Sequence, residues 1–230
     1  MLRRDVRFEE GLNTCINCGT CTAICPAAEF YPYDPRIIMD AVQSRREAVL
    51  EGLLRSDEIW YCGECMSCRT RCPRNNTPGL VIMALRSLSQ DLGFFMESEK
   101  GRQQFIIMRT IGDWILSYGY CLYLEGVGTV LHPEQGPVWE WRQNHWNKVS
   151  ERLGGNYKGN GPGILRTIPE EALAELRKIF DVTGGTERLR KIEEFSARKA
   201  AELNLELAEG IESDYFFRIY RSNTGTHHRE

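Results

Sequence analysis

The chain has 230 residues, a formal charge of −3 and 42% hydrophobic residues, with nine cysteines among them. This is enough apolar material for one or two compact units, and the balance excludes the strongly basic character of a general nucleic-acid binder. No uncharged apolar run has bilayer-spanning length; the nearest, Phe105 to Leu124, is broken by Arg109 and Asp113, so an integral membrane protein is not expected.

Residues 1–14 form a lead-in. Its basic start, Leu2 to Arg7, is not followed by an apolar signal core, so a cytoplasmic location is expected. Asn13 and Thr14 are predicted to cap a short helical turn carrying the first cysteines. The first cysteine run follows as Cys15-x₂-Cys18-x₂-Cys21-x₃-Cys25-Pro26, and the same run returns as Cys62-x₂-Cys65-x₂-Cys68-x₃-Cys72-Pro73. Three thiolates two residues apart curl around one corner of an iron–sulfur cubane while nearby backbone N–H groups point at its sulfurs. The longer x₃ step and the proline turn the fourth cysteine away, and in two-cluster proteins of this pattern that fourth cysteine ligates the other cluster.

The expected cofactors are therefore two 4Fe-4S clusters, one on Cys15, Cys18, Cys21 and Cys72, the other on Cys62, Cys65, Cys68 and Cys25. Each half-motif is incomplete alone, so cluster binding and folding are expected to be one event. Zinc needs neither the third cysteine of each run nor the prolines. Disulfides suit a secreted chain.

Between the runs, Phe30 to Tyr33 reads as a loop. Asp34-Pro35 reads as N-cap and N1 of a helix whose apolar side is Ile37, Ile38, Ala41 and Val42. A second helix is predicted over Ala48 to Leu54. No strand-like alternation interrupts this insert. The expected fold class is mainly α: an α-helical ferredoxin-type domain with two clusters, plus a helical C-terminal extension. Arg69, Arg71 and Arg74 accompany the second run, and positive charge near a cluster favours its reduced form. Arg69 and Arg71 are thus candidate potential-tuning neighbours; the alternative is that they face solvent or a partner's carboxylates.

After Pro73, Thr77-Pro78 again reads as cap and N1, opening a helix with the stripe Leu80, Val81, Ala84, Leu85, Leu88 and Leu92, which Gly93 terminates. An aromatic helix around Phe105 to Tyr118 follows, then a Gly/Pro-rich passage. Trp139, Trp141 and Trp146 suggest packing at a domain or subunit surface rather than base stacking. Residues 154–163 have the composition of a linker without phosphate-loop spacing. Thr167 and Glu170 resemble a capping box before Leu173 to Phe180. A helix over Thr186 to Leu207 is predicted with Glu187–Lys191 and Glu194–Arg198 pairs. Residues 211–230, with four aromatics and no clear period, are expected to order only against a partner.

The expected domains are residues 1–98 for the cluster domain, 99–165 for a connecting region, and 166–230 for docking helices and tail. Cys121, in an apolar segment, is expected to be a buried hydrophobe. His132, His145, His227 and His228 show no metal or nucleophile spacing, and no catalytic constellation stands out.

The sequence from Cys15 to Pro26, the insert with Asp34-Pro35-Arg36, and Trp60 to Cys68 together resemble the HdrC family of heterodisulfide reductase subunits over roughly residues 10–95. The resemblance implies an electron-transfer subunit relaying electrons between a flavin-containing A-type (HdrA-like) subunit and a B-type (HdrB-like) subunit. In that family the B-type subunit performs disulfide chemistry at CCG motifs, and this chain has no adjacent cysteines. The long region after residue 100 is similar to what is expected in Hdr-like complexes of sulfur oxidisers. Two other expectations remain beside it: the iron–sulfur subunit of a succinate/fumarate, glycerol-phosphate or glycolate oxidoreductase, and a binding module merely stabilised by Fe–S clusters.

Overall fold

The computed structural model describes residues 1–122, 124–126, 128, 129 and 131–221. Among these residues there are helices and no strands. In chain order the α-helices are α1 (Val6–Gly11), α2 (Thr20–Ala23), α3 (Ala27–Phe30), α4 (Pro35–Gln43), α5 (Glu47–Arg55), α6 (Ser67–Arg71), α7 (Pro78–Leu92) and α8 (Glu99–Ile107). They continue with α9 (Asp113–Tyr118), α10 (Gly136–Asn144), α11 (Trp146–Arg152), α12 (Glu170–Thr183), α13 (Gly185–Glu202) and α14 (Asp214–Arg221). The chain divides into two compact units, one of Met1–Ile106 with Arg190–Glu230, the other of Ile107–Leu189.

The first unit is built around α7, which packs against α1, α4, α5 and α6. Its core holds Ile38, Met39, Val42, Leu53, Leu54, Ile59, Val81, Ile82 and Leu85. The Asp34 side chain caps α4 by accepting from the Arg36 N–H at 2.8 Å, and Pro35 fills N1, as the local sequence predicts. The apolar face of α4 turns on Ile38, Met39 and Val42, whereas Ile37 is 54% exposed, because the stripe follows i, i+1 and i+4 from Ile38. The helix predicted over Ala48 to Leu54 spans Glu47–Arg55. Helix α7 ends at Gly93 in the left-handed region (φ 78°) with its N–H on the carbonyls of Gln90 and Ser89. A side chain at Gly93 would lie 2.2 Å from the Phe195 ring. At the amino end Thr77 makes no side-chain cap; its N–H donates to the Gly11 carbonyl at 2.8 Å, tying α1 to the start of α7.

The three segments expected at 1–98, 99–165 and 166–230 are divided differently by these contacts. The reason is apolar. Phe195 meets Phe95 edge to face at 6.0 Å, Lys191 pairs with Asp91 at 3.1 Å, and Ile192 is buried. Lys191, expected to pair with Glu187, thus reaches Asp91, and Arg190 and Glu194 form an i, i+4 pair on α13. The tail also departs from expectation. Residues 214–221 form a helix within this chain, with Tyr215 and Phe216 fully buried and both rings edge-on to Phe105 at 5.4 and 6.4 Å. The expected disorder of the last residues, and His227 and His228, lie outside the described residues.

In the second unit, the helix expected from Phe105 to Tyr118 is interrupted by a π-helical turn at Met108–Gly112. Residues 154–163 are not an open linker. Asn156 N–H donates to the Ile164 carbonyl at 3.0 Å, its side-chain amide donates to the carbonyls of Asn160 and Pro162 at 3.1 Å each, and Thr167 N–H reaches Gly159 at 3.0 Å. One asparagine thus closes the glycine-rich loop on itself. Helix α12 starts at Glu170 after Pro169 with no side-chain cap, so no capping box forms at Thr167. Trp146 is buried, whereas Trp141 is 57% exposed and stacks on His145 at 4.5 Å. Cys121 is exposed, contrary to the buried hydrophobe expected, because the flanking segment forms bends rather than a helix that packs inward.

Candidate iron–sulfur centres

The two cysteine runs adopt one backbone pattern twice. In the first, Asn17 (φ 58°) and Gly19 (φ 79°) take left-handed conformations before α2; in the second, Glu64 (φ 54°) and Met66 (φ 58°) do so before α6. Alternation of this kind turns successive N–H groups toward one concavity that favours negative charge. Accordingly Asn17 N–H donates to Cys15 Sγ at 3.4 Å and Glu64 N–H to Cys62 Sγ at 3.4 Å. A hydroxyl two residues after the second cysteine of each run repeats too: Thr20 Oγ1 lies 3.3 Å from Cys18 Sγ, and Ser67 Oγ lies 3.3 Å from Cys65 Sγ. These hydroxyls lower the pKa of Cys18 and Cys65, while burial pushes the Cys21, Cys62 and Cys68 thiols up. The expected helical turn capped by Asn13 and Thr14 is absent. Asn13 N–H donates instead to Asn76 Oδ1 at 2.7 Å, and the Thr14 carbonyl accepts from Arg74 at 3.3 Å.

Helices α2 and α6 pack together, which brings the two runs side by side. Two cavities result. The larger, about 280 Å³, is lined by Cys62, Cys65 and Cys68 of the second run and by Cys25 of the first, with Phe30, Tyr31, Tyr33, Tyr61 and Ile82 as apolar walls. The narrower, about 20 Å³, is lined by Cys15, Cys18 and Cys21 of the first run and by Cys72 of the second, with Arg36, Met39 and Asn76. Pro78 lines both. Among the described residues no three His, Cys, Asp or Glu side chains close on a point as a single metal ion requires. The sulfurs surround spaces, a donor set suited to a polynuclear sulfide cluster rather than to one tetrahedral ion. Two buried donors without partners reinforce the fit: the Tyr33 hydroxyl at the larger cavity and Asn76 Nδ2 at the narrower one.

Each loop is held by one polar side chain that sequence reasoning did not single out. Gln43, at the end of α4, accepts from Cys15 N–H at 2.7 Å and donates to the Cys15 carbonyl at 3.3 Å. Arg86, on α7, donates to the carbonyls of Ile59 at 2.6 Å and Cys62 at 2.5 Å and pairs with Glu64 at 2.6 Å. The available signal was weak. Each directly follows apolar residues on its helix, Gln43 after Ala41-Val42 and Arg86 after Leu80 to Leu85. Gly79, following Pro78, leaves room for Met66, whose Sδ would lie 2.9 Å from an added Cβ. Arg69 and Arg71 are exposed on α6 and line neither cavity, whereas Arg36 lines the narrower one and the Arg86 charge acts on Cys62.

Residues 11–76 match the 4Fe-4S dicluster domain family. The chain is 43% identical over 97 residues to the C subunit of the ferredoxin:CoB-CoM heterodisulfide reductase of Methanosarcina acetivorans, covering 41% of this chain and 38% of that protein. It is 32% identical over 104 residues to the iron-sulfur C subunit of the CoB–CoM heterodisulfide reductase of Methanopyrus kandleri, covering 44% and 53%. It is also 32% identical over 98 residues to the C2 subunit of the H(2)/formate:CoB-CoM heterodisulfide,ferredoxin reductase of Methanococcus maripaludis, covering 42% and 50%. The chain thus spans between 38% and 53% of the length of these relatives. The cysteine-bearing segment of this chain is a helical 4Fe-4S dicluster domain, with two 4Fe-4S clusters as its cofactors, and is similar to the C subunits of heterodisulfide reductases.

Proposed function

We propose that this chain is the electron-transfer iron–sulfur subunit of a heterodisulfide reductase-like complex, working between an HdrA-like and an HdrB-like subunit in the cytoplasm, in sulfur oxidation. Cys15, Cys18, Cys21 and Cys72 hold one cluster; Cys62, Cys65, Cys68 and Cys25 hold the other. The observation that carries the reading is the lining of the two cavities, each with three cysteines of one run and the fourth of the other. The shared wall at Pro78 keeps the two clusters adjacent, as a relay requires.

When bound, the clusters supply one-electron redox chemistry. The chain's own residues do the rest. The backbone N–H groups of Asn17, Glu64 and Asn76 stabilise negative charge on the sulfurs; the Asn76 N–H donates to Cys72 Sγ at 3.2 Å. Phe30, Tyr31 and Tyr61 keep water from the larger cavity, and Gln43 and Arg86 fix the loops. No helix among the described residues is long and apolar enough to cross a membrane. The exposed Val138, Trp141 and Val182 of the second unit suit docking to other subunits.

Two experiments test this. In the crossed arrangement, Cys25→Ser perturbs the same EPR signal as Cys65→Ser, and Cys72→Ser the same signal as Cys18→Ser. Pairing of Cys25 with Cys18 instead would overturn the ligand sets. Anaerobic capture of the native complex should recover flavoprotein and CCG-motif subunits; recovery of a succinate, glycerol-phosphate or glycolate oxidoreductase would replace the assignment.

A further inference from the structure

Each cavity contains one side-chain donor that the protein buries and leaves without an acceptor. At the larger it is the phenol of Tyr33. The ring is 5% exposed and edge-on to Tyr61 at 6.2 Å, while Tyr61 stacks on Tyr31 at 4.5 Å, so its position is fixed by packing. The next residue, Asp34, is the N-cap of α4, which fixes the backbone as well. The buried hydroxyl makes no hydrogen bond of ordinary geometry among the described residues, a condition that folded proteins rarely tolerate without a ligand to answer it. It faces the larger cavity, which Cys62 also lines.

An apolar cavity disfavours the more negative, reduced state of a cluster, and a hydrogen bond to a ligand sulfur favours it. The walls of the larger cavity are almost wholly apolar. We propose that the Tyr33 O–H donates to the Cys62 thiolate and raises the potential of the cluster in the larger cavity, making Tyr33 a positioning residue that sets the order of the two potentials. This rests on the ligand sets proposed above. The narrower cavity has its own counterpart. The Asn76 amide is oriented by Asn13 N–H on its Oδ1 at 2.7 Å, which leaves Nδ2 as the unpartnered donor at that cavity. The two donors act on different clusters, so removing one should move one potential.

Tyr33→Phe deletes one oxygen and keeps the ring. The full-length chain, wild type and Y33F, is loaded with clusters anaerobically, its iron counted, and titrated with EPR detection. In Y33F the cluster also perturbed by Cys65→Ser should be about tenfold more oxidised at a fixed ambient potential, a fall of about 59 mV for one electron. The cluster perturbed by Cys18→Ser should not move. In the wild type, exchange into D₂O should shift an Fe–S(Cys) stretching band in the resonance Raman spectrum, and that shift should be lost in Y33F. Fully loaded Y33F with both potentials unmoved, or movement of the Cys18-dependent cluster alone, overturns the proposal. If Y33F does not load, absence of the isotope shift in the wild type overturns it. A wild-type chain that takes up fewer than two clusters overturns the ligand sets first, and this inference with them.

Discussion

Arg86 offers the sharpest test of how the second cysteine loop is held. Its guanidinium bonds two backbone carbonyls, Ile59 at 2.6 Å and Cys62 at 2.5 Å, from a side chain only 16% exposed. Hydrogen bonds from a charged donor contribute about 1.5–3 kcal/mol each, so the two together account for about 3–6 kcal/mol. The third contact, to Glu64, is discounted to about 0–1 kcal/mol because that carboxylate is more than a third exposed. Arg86→Met keeps the stem's packing on α7 and removes the fork. Against a typical domain stability of about 5–15 kcal/mol, such a loss is a large fraction. The assay is anaerobic guanidinium unfolding of the cluster-loaded protein, followed by loss of visible absorption, with iron content measured beforehand. Arg86→Lys should fall between wild type and Arg86→Met, since an ammonium reaches one carbonyl but does not reproduce the fork. Arg86→Met with full iron content and an unfolding free energy within about 0.5 kcal/mol of wild type would refute the reasoning, that figure being the usual range for an unimportant surface change.

Gln43→Leu should release the first loop, costing about 1–3 kcal/mol for the freed Cys15 N–H and making the Cys18-dependent cluster the first lost to an iron chelator; equal loss of both clusters would contradict it. Gly93→Ala forces a side chain into the left-handed region and into the Phe195 ring, a cost of about 2–4 kcal/mol in thermal or denaturant unfolding. Pairing it with Phe195→Ala should recover the part due to the ring and leave the backbone part. Gly101→Ala places a Cβ 2.2 Å from the Phe95 carbonyl, which has no freedom to retreat, and should cost about 3 kcal/mol; a neutral outcome by calorimetry would show that α8 shifts readily.

Much of the site was legible because its determinants are local. The x₂ and x₃ spacings, the Asp34-Pro35 cap and the Gly93 stop all act within one or two turns of chain, and each appears where the sequence places it. The misses share a different cause. The left-handed Met66 was invisible because that conformation normally favours glycine, as at Gly19 in the other run. The exposure of Cys121, the closed loop around Asn156 and the burial of Tyr215 and Phe216 depend on what each segment meets, which local period does not encode.

The sequence alone determined the number and chemistry of the thiols, their division into two equal runs, and the helices that flank them, since spacing and capping are properties of consecutive residues. What came from the packing of the helices is the company these cysteines keep: Gln43, Arg86, Asn76 and Tyr33 around them. Those four lie up to 63 residues from the groups they hold or face, as Asn76 does from Asn13. Such pairings form only when α4 and α7 pack and carry their polar side chains to the same place, a consequence of burying apolar surface that no run of neighbouring residues specifies.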